Sequence, residues 1–315
     1  MLARGRRARD KPRMRLPNNR LNISGVFYRM ARSIKVAIAG VGNCASALVQ
    51  GVEYYRNRRN AAIAGVMRHV IGGFRASDIE FVAAFDVDKR KVGRPLEEAI
   101  FAKPNCTRIF QSSLPVSNVV VQAGPVLDGI ASHMAEYPDD AAFRSADLEP
   151  TDIAAALRAS GAEILVCYLP VGSEQAVKHY AQACLDAGVG MVNCVPVFLA
   201  SFLNMLERKR LKLKKISKTE AVQSQFDERL DASDIHIGPS DYISWQHDNK
   251  ICFIRIEGRG FGDAPLELEL RLSVEDSSNS AGVVVDAIRC AKLAQDRGLA
   301  GPLEAPSAYY IRPIT

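Results

Sequence analysis

The chain has 315 residues, 48% of them hydrophobic and 24% charged, which is the balance of a globular protein long enough for one large domain or two ordinary ones. Its net charge of +6 is concentrated at one end: residues 1–33 hold ten Lys and Arg against Asp10 alone, and the rest of the chain holds 31 basic against 34 acidic residues. That distribution argues against nucleic acid as a partner of the globular part. Seven cysteines without a C-x-x-C pair fit neither a disulfide framework nor a zinc ribbon, and read as thiols in a reducing cytoplasm.

Residues 1–33 form a basic leader without the apolar core of a secretory signal. It is arginine-rich and acid-poor like a transit peptide, but poor in serine. It reads either as a disordered extension or as sequence ahead of a true start at Met30. From Ile34 onward strand and helix alternate: "IKVAIAG", then the helical spacing of "NCASALVQGVEYYRN", then "EFVAAFDVD" and "VVVQAG" as strands. "DIAAALRAS" is a helix, "EILVCYLPVG" a strand, "EQAVKHYAQACLDAG" a helix and "VGMVNCVPVF" a strand. Continuous apolar strands between helices predict a parallel sheet covered on both faces. Residues 188–206 are apolar but carry Asn193, Pro196 and Asn204, and read as core rather than a membrane span. "KICFIRIEGRGF" and "LELELRLSVED" alternate apolar and polar residues, as in an antiparallel sheet with one exposed face. "SAGVVVDAIRCAKLAQDRG" closes the chain with a helix and a glycine stop.

The fold class expected is therefore α/β: a Rossmann-like doubly wound parallel sheet, a second α+β oligomerisation domain, and a returning helix. The expected boundaries are 34–200 for the nucleotide domain, 201–275 for the α+β domain and 276–315 for the C-terminal helix.

"AIAGVGNCAS" places Gly40, Gly42 and Ala45 in a G-x-G-x-x-A pattern between a strand and a helix. Gly40 allows the tight turn, Gly42 lets the backbone approach a pyrophosphate, and Ala45 keeps the helix close to the sheet. Asn43 and Cys44 begin that helix, whose first amides attract anions. Asp86 ends the next strand and is the natural acceptor for a ribose hydroxyl, favouring NAD over NADP. It comes later than the usual ~20 residues, so an insertion around residues 57–78 is expected to loop out. The alternative is a tight turn beside a solvated carboxylate.

In "KKISK", Lys214 and Lys218 lie four apart, so a helix would put both ammonium groups on one face. Such a pair can hold a phosphate, stabilise an enolate or act as a base. A solvated basic face is the competing reading, since seven of the eleven residues from Arg208 to Lys218 are basic. Lys250 in "HDNKICF" and Asp276 in "VEDSSNSAG" are equally open when read alone.

"VAIAGVGNCASALVQGVEYY", "FVAAFDVDKRKVG", "YLPVGSEQA", "FLNMLERKRLKLKKISKTEAV", "HIGPSD" and "EDSSNSAGVVVDAIRCAKLA" together resemble the myo-inositol-1-phosphate synthases of the actinobacterial and archaeal type. The likeness runs from Lys35 to Tyr309. It implies NAD as cofactor, glucose 6-phosphate as substrate and a homotetramer built through the second sheet, with no nucleic acid or membrane partner. The implied reaction is oxidation at C5, enolisation by loss of a C6 proton, aldol closure on C1, and reduction to inositol phosphate.

By motif, Lys214 and Lys218 resemble the family's pair beside the substrate and its phosphate. Lys250 resembles the lysine near the oxidised carbon, and Asp276 the aspartate that contacts the cofactor or a bound cation; metal dependence is left open. Ser277, Gly262 and Asp263 resemble residues at the nicotinamide end. Tyr168, Ser201 and the backbone near Leu148 resemble further cofactor contacts. Arg312 in "SAYYIRPIT" stands where the family has its last active-site lysine, and keeps the charge but not a base role.

The family also carries roughly fifty more residues between "VFLAS" and "FLNMLE", including cofactor- and phosphate-binding loops. Here Ser201 is followed at once by Phe202, so a sheet with an uncovered edge is expected, because a parallel crossover needs about a dozen residues or more. Two readings follow: the family's isomerase, or a catalytically impaired NAD-binding paralogue or a truncated, mis-assembled gene model. Weaker still are nucleic-acid binding through the leader and residues 208–218, and an ordinary dehydrogenase.

Overall fold

The computed structural model describes residues 33–56, 58, 64–130, 136–195, 229–236, 238 and 243–310. Five parallel strands, β1 (Ile34–Ala39), β2 (Ile79–Asp86), β3 (Val121–Ala123), β4 (Ile164–Cys167) and β5 (Gly190–Asn193), form one sheet in the order β3-β2-β1-β4-β5. This is the doubly wound order, with the chain starting in the middle of the sheet and winding out to both edges. Among the described residues no strand lies beyond β5.

Strand β1 shows why the chain folds this way. Its side chains alternate between two buried faces: Ile34, Val36 and Ile38 point one way, Ala37 and Ala39 the other. The first face is covered by helix α1 (Asn43–Arg56) and helix α5 (Asp276–Asp296), through Leu48, Val52, Val284, Val285 and Ile288. The second is covered by α3 (Ile153–Ser160) and α4 (Glu174–Ala187), through Ile153, Leu157, Tyr180 and Ala183. Each fully buried Leu, Ile or Val contributes about 1.5–3 kcal/mol. A third cluster joins α1 to the short helix α2 (Leu96–Ala99) around Val41, Ala45 and Ile100.

Local signals agree with this packing. Asp152 caps α3 by accepting from the Ala155 amide at 3.0 Å, a bond worth about 1 kcal/mol. The closing helix starts at Asp276, directly after a strand. A further helix, α6 (Glu304–Tyr310), follows its glycine stop.

The insertion does not simply loop out. Asp286 and Arg289 of α5 form an ion pair almost wholly removed from solvent. The Asp286 carboxylate accepts from the Met67 amide at 2.8 Å, and Arg289 donates to the His69 carbonyl at 3.2 Å. Buried charges need such partners, and the backbone of the insertion supplies them.

Strands β6 (Asn249–Arg259) and β7 (Pro265–Glu275) pair antiparallel, as their alternation predicts. One face carries the pairs Cys252–Leu272, Ile254–Leu270 and Ile256–Leu268; the other carries Phe253–Arg271, Arg255–Glu269 and Glu257–Glu267. Arg255 bridges Glu267 at 3.2 Å and Glu269 at 3.4 Å. The sequence predicts one exposed face, but both are exposed, and Ile254, Ile256, Leu266, Leu268, Leu270 and Leu272 lie open. No helix or second sheet among the described residues covers the apolar side. Residues 201–228, 237 and 239–242, assigned by sequence to the same α+β domain, lie outside the described residues. No described helix is long and apolar enough to cross a membrane.

Candidate active site

The site is built where β1, β2 and β4 end. Gly40 lies at φ +89°, and its amide donates to the Phe85 carbonyl at 2.8 Å. A β-carbon there would sit 2.8 Å from the Tyr168 carbonyl oxygen, so only glycine lets the turn cross between β2 and β4. Gly42 is the opposite case: nothing lies within 4 Å of where its β-carbon would be. The turn is thus packed tightly on its inner side and open on its outer side, at the start of α1.

Asp86 closes the turn from β2. One carboxylate oxygen accepts from the Val41 amide at 2.6 Å, and the other from the Val87 and Asp88 amides at 2.7 and 2.8 Å. A carboxylate has about four lone-pair positions, so three are filled and one remains for a further hydroxyl. Leu148 is exposed on a loop held to the same strand ends by Ala146 N–H to the Val87 carbonyl (2.7 Å) and Thr151 N–H to the Ala123 carbonyl (2.9 Å).

The start of α5 completes the cluster. Asp248, 8% exposed, accepts from the Ser277 hydroxyl at 2.6 Å and the Ser277 amide at 3.2 Å, and its carbonyl receives the Asp276 amide. Burial and the neighbouring Glu275 and Asp276 carboxylates push the Asp248 carboxyl above its ordinary range, outweighing the Ser277 bonds. Lys250, opposite Val274 at the base of the hairpin, reaches Asp276 with Nζ 3.1 Å from Oδ1. Both side chains are about half exposed, so the pair contributes less than about 1 kcal/mol to stability. The pair leaves an ammonium and a carboxylate side by side at the start of α5.

Cys44, one residue into α1, faces Ser277 and Ser280, and burial raises its thiol pKa. The Tyr168 hydroxyl is buried near Ser280, Cys44 and Cys194, and burial raises it well above its usual value. Asn43 donates to Cys106 Sγ at 3.0 Å and accepts from the Cys106 amide at 3.2 Å, tying the α1 start to the 103–108 loop. Gly40, Gly42, Asn43, Cys44, Ala45, Asp86, Tyr168, Lys250, Asp276 and Ser277 therefore converge on one region.

Other predicted residues do not converge there. Gly262 and Asp263 occupy the tip of the hairpin, where Asp263 pairs with Arg259 at 2.7 Å. Nine paired residues, Ile251 to Arg259, or roughly 30 Å of strand, separate that tip from Lys250 and Asp276 at its base. Ser201, Lys214, Lys218 and Arg312 lie outside the described residues. Two residues escaped the sequence: Asp248, with no spacing to single it out, and Lys91 in the charge run "DKRK", whose ammonium donates to the Val41 carbonyl at 2.6 Å beside the turn. Next to Asp276 and Ser277, the residues Glu275, Ser278 and Asn279 line a cavity of about 760 Å³ with Tyr54, Tyr55 and Arg58 of the α1 end. Among the described residues no group of three or more His, Cys, Asp or Glu is arranged to hold a metal.

Residues 200–277 match the family model described as myo-inositol-1-phosphate synthase. The chain is 44% identical to the inositol-3-phosphate synthase of Mycolicibacterium smegmatis, over 90% of this chain and 93% of that protein. It is 43% identical to the enzyme of the same name from Mycobacterium tuberculosis, over 89% and 90%, and 40% identical to that of Corynebacterium glutamicum, over 89% and 93%. The first alignment spans 344 positions, while 90% of this chain is about 284 residues, so about sixty aligned positions of the relative face no residue here. Among solved structures, that of Ari2 matches at 31% identity and a TM-score of 0.63, over 88% of this chain and 91% of the other. A myo-inositol-1-phosphate synthase-related protein from Thermotoga maritima shares the fold at 19% identity and a TM-score of 0.63, over 84% and 88%. Near-full-length identity to three synthases, on a doubly wound sheet with a glycine turn, makes this chain a member of the myo-inositol-1-phosphate synthase family.

Proposed function

We propose that the chain binds NAD at the glycine turn and carries out the family's isomerisation of glucose 6-phosphate to inositol 3-phosphate, more slowly than its relatives. The observation that carries this reading is the turn itself: Gly40 locked against Tyr168, Gly42 open in front, and Asp86 with one acceptor position left. Those features suit a pyrophosphate at the α1 amides and a ribose hydroxyl at Asp86. NAD, when bound, supplies reversible hydride transfer. The chain's own residues hold the substrate and move its protons. Lys250, beside Asp276, is positioned to exchange a proton with a substrate oxygen as it becomes a carbonyl. Lys214, Lys218 and Arg312, assigned from motif, would hold the phosphate and the enolate oxygen.

The reduced rate follows from the sixty unmatched positions. A family member without them keeps the cofactor turn and the Lys250–Asp276 pair, but lacks part of the substrate cradle. The open apolar face of the hairpin supports assembly with further copies, a tetramer by family resemblance, and it is there that Gly262 and Asp263 would act. We assign 34–200 to the cofactor domain, 201–275 to the assembly and substrate domain and 276–315 to the returning helix, in a cytoplasmic protein.

The test is inositol phosphate formation from glucose 6-phosphate with and without added NAD. NAD-dependent product without NADH accumulation is expected; a steady rise of NADH would replace this reading with a dehydrogenase. A second reading is supported by the same unmatched positions: a non-catalytic subunit that binds NAD and assembles with intact copies. Binding without turnover would select it.

A further inference from the structure

We propose that Lys91 is a positioning residue of the cofactor turn, aiming the Gly42 N–H at the pyrophosphate; this rests on the NAD reading above. Lys91 is 4% exposed, and its ammonium donates to the Val41 carbonyl at 2.6 Å. The Val41 amide is held from the other side by Asp86 at 2.6 Å, and the Val41 side chain is wholly buried. The residue between the two glycines is therefore gripped at its N–H by a carboxylate, at its C=O by an ammonium, and at its side chain by the core.

The consequence comes from peptide planarity. The Val41 carbonyl and the Gly42 N–H belong to one trans peptide, so they point in opposite directions. Lys91 draws the carbonyl towards its own buried ammonium, and the Gly42 N–H must then point the opposite way; the position of a Gly42 β-carbon is also open, with nothing within 4 Å. Without Lys91 that peptide has no such constraint. Rotating it would bury the N–H and turn an oxygen towards the anion. The cation also polarises the peptide, which strengthens its N–H as a donor. Its charge is matched locally by Asp88, 1% exposed, which pairs with Arg90 at 2.6 Å and whose carboxyl is affected by Lys91.

The experiment compares the native full chain with Lys91→Met by calorimetric titration of NAD and of adenosine, which has no pyrophosphate. Loss of one charge-assisted bond predicts NAD affinity lower by about 10- to 100-fold, with adenosine affinity unchanged within twofold. Equal NAD affinity in both proteins, or equal losses for both ligands, would overturn the proposal. Should Lys91→Met not fold, Lys91→Gln takes its place under the same criteria. The ligand-free chains give a separate readout: with valine carbonyls and glycine amides labelled, the Val41–Gly42 NMR signal should move in the variant while Val189–Gly190 stays. A native chain that fails to bind NAD would defeat the cofactor reading alone, and the Gly42 signal would still decide whether Lys91 sets the turn; an unmoved signal overturns it.

Discussion

Replacing each glycine of the turn by alanine should give two different defects. Gly40→Ala forces a side chain into φ +89°, with its β-carbon 2.8 Å from the Tyr168 carbonyl oxygen and 2.9 Å from that carbonyl carbon. The left-handed conformation costs about 1–2 kcal/mol. Overpacking against a backbone that no rotamer change can relieve adds about 1–3 kcal/mol. Together these predict a melting temperature lower by roughly 4–20 °C in a chain of this size. Gly42→Ala meets nothing within 4 Å and has no positive φ, so the ligand-free protein should melt within a few degrees of native. Its methyl group instead fills the space the anion would occupy, and NAD affinity should fall about 10-fold or more, the value of one charge-assisted bond. Thermal unfolding without ligand and calorimetric titration with NAD separate the two. A Gly42→Ala protein that binds NAD like the native chain would refute the turn as the cofactor cradle. A Gly40→Ala protein that melts like native would refute the packing argument.

Other outcomes follow from the same geometry. Arg289→Met leaves Asp286 charged and unpaired inside α5, and should cost about 3–5 kcal/mol in urea unfolding; a loss below 1 kcal/mol would mean the pair is not buried in solution. Burial acts to raise the Asp88 carboxyl, but hydrogen bonds and charge from Arg90, with Lys91, hold it below the ordinary value of 3.8. Its contribution is therefore complete above that pH and lost as pH falls below it, so the stability gap between native and Asp88→Asn should narrow in acid. A gap that widens would reverse the sign. Burial pushes Cys167 to about 11 and Cys184 to about 12. At pH 8 fewer than about one in a thousand of either is thiolate, so both should resist iodoacetamide until the chain is unfolded.

Much of this was readable in the sequence because short-range physics carries it. The apolar runs of β1, β2 and β4 are buried on both faces and announce themselves without partners. The turn is legible because Gly40 and Gly42 answer steric demands within a few residues. The hairpin is legible in pairing but not in exposure: alternation in "LELELRL" says that one face is apolar, not what covers it. Contacts made across the fold leave no local trace. Met67 meets Asp286 across 219 residues, and Asp248 meets Ser277 across 29. Lys91 sits in a charge run that reads as solvated, and only the fold turns one of those charges inward. The roles proposed for Lys250 and Asp276 rest on motif resemblance, since a lone Lys and a lone Asp carry no geometry of their own.

The most direct measurement is product analysis of the purified full chain with glucose 6-phosphate, with and without NAD. The account predicts slow, NAD-dependent formation of inositol phosphate with no net NADH. Accumulating NADH without inositol phosphate, or no product and no NAD binding, would contradict it.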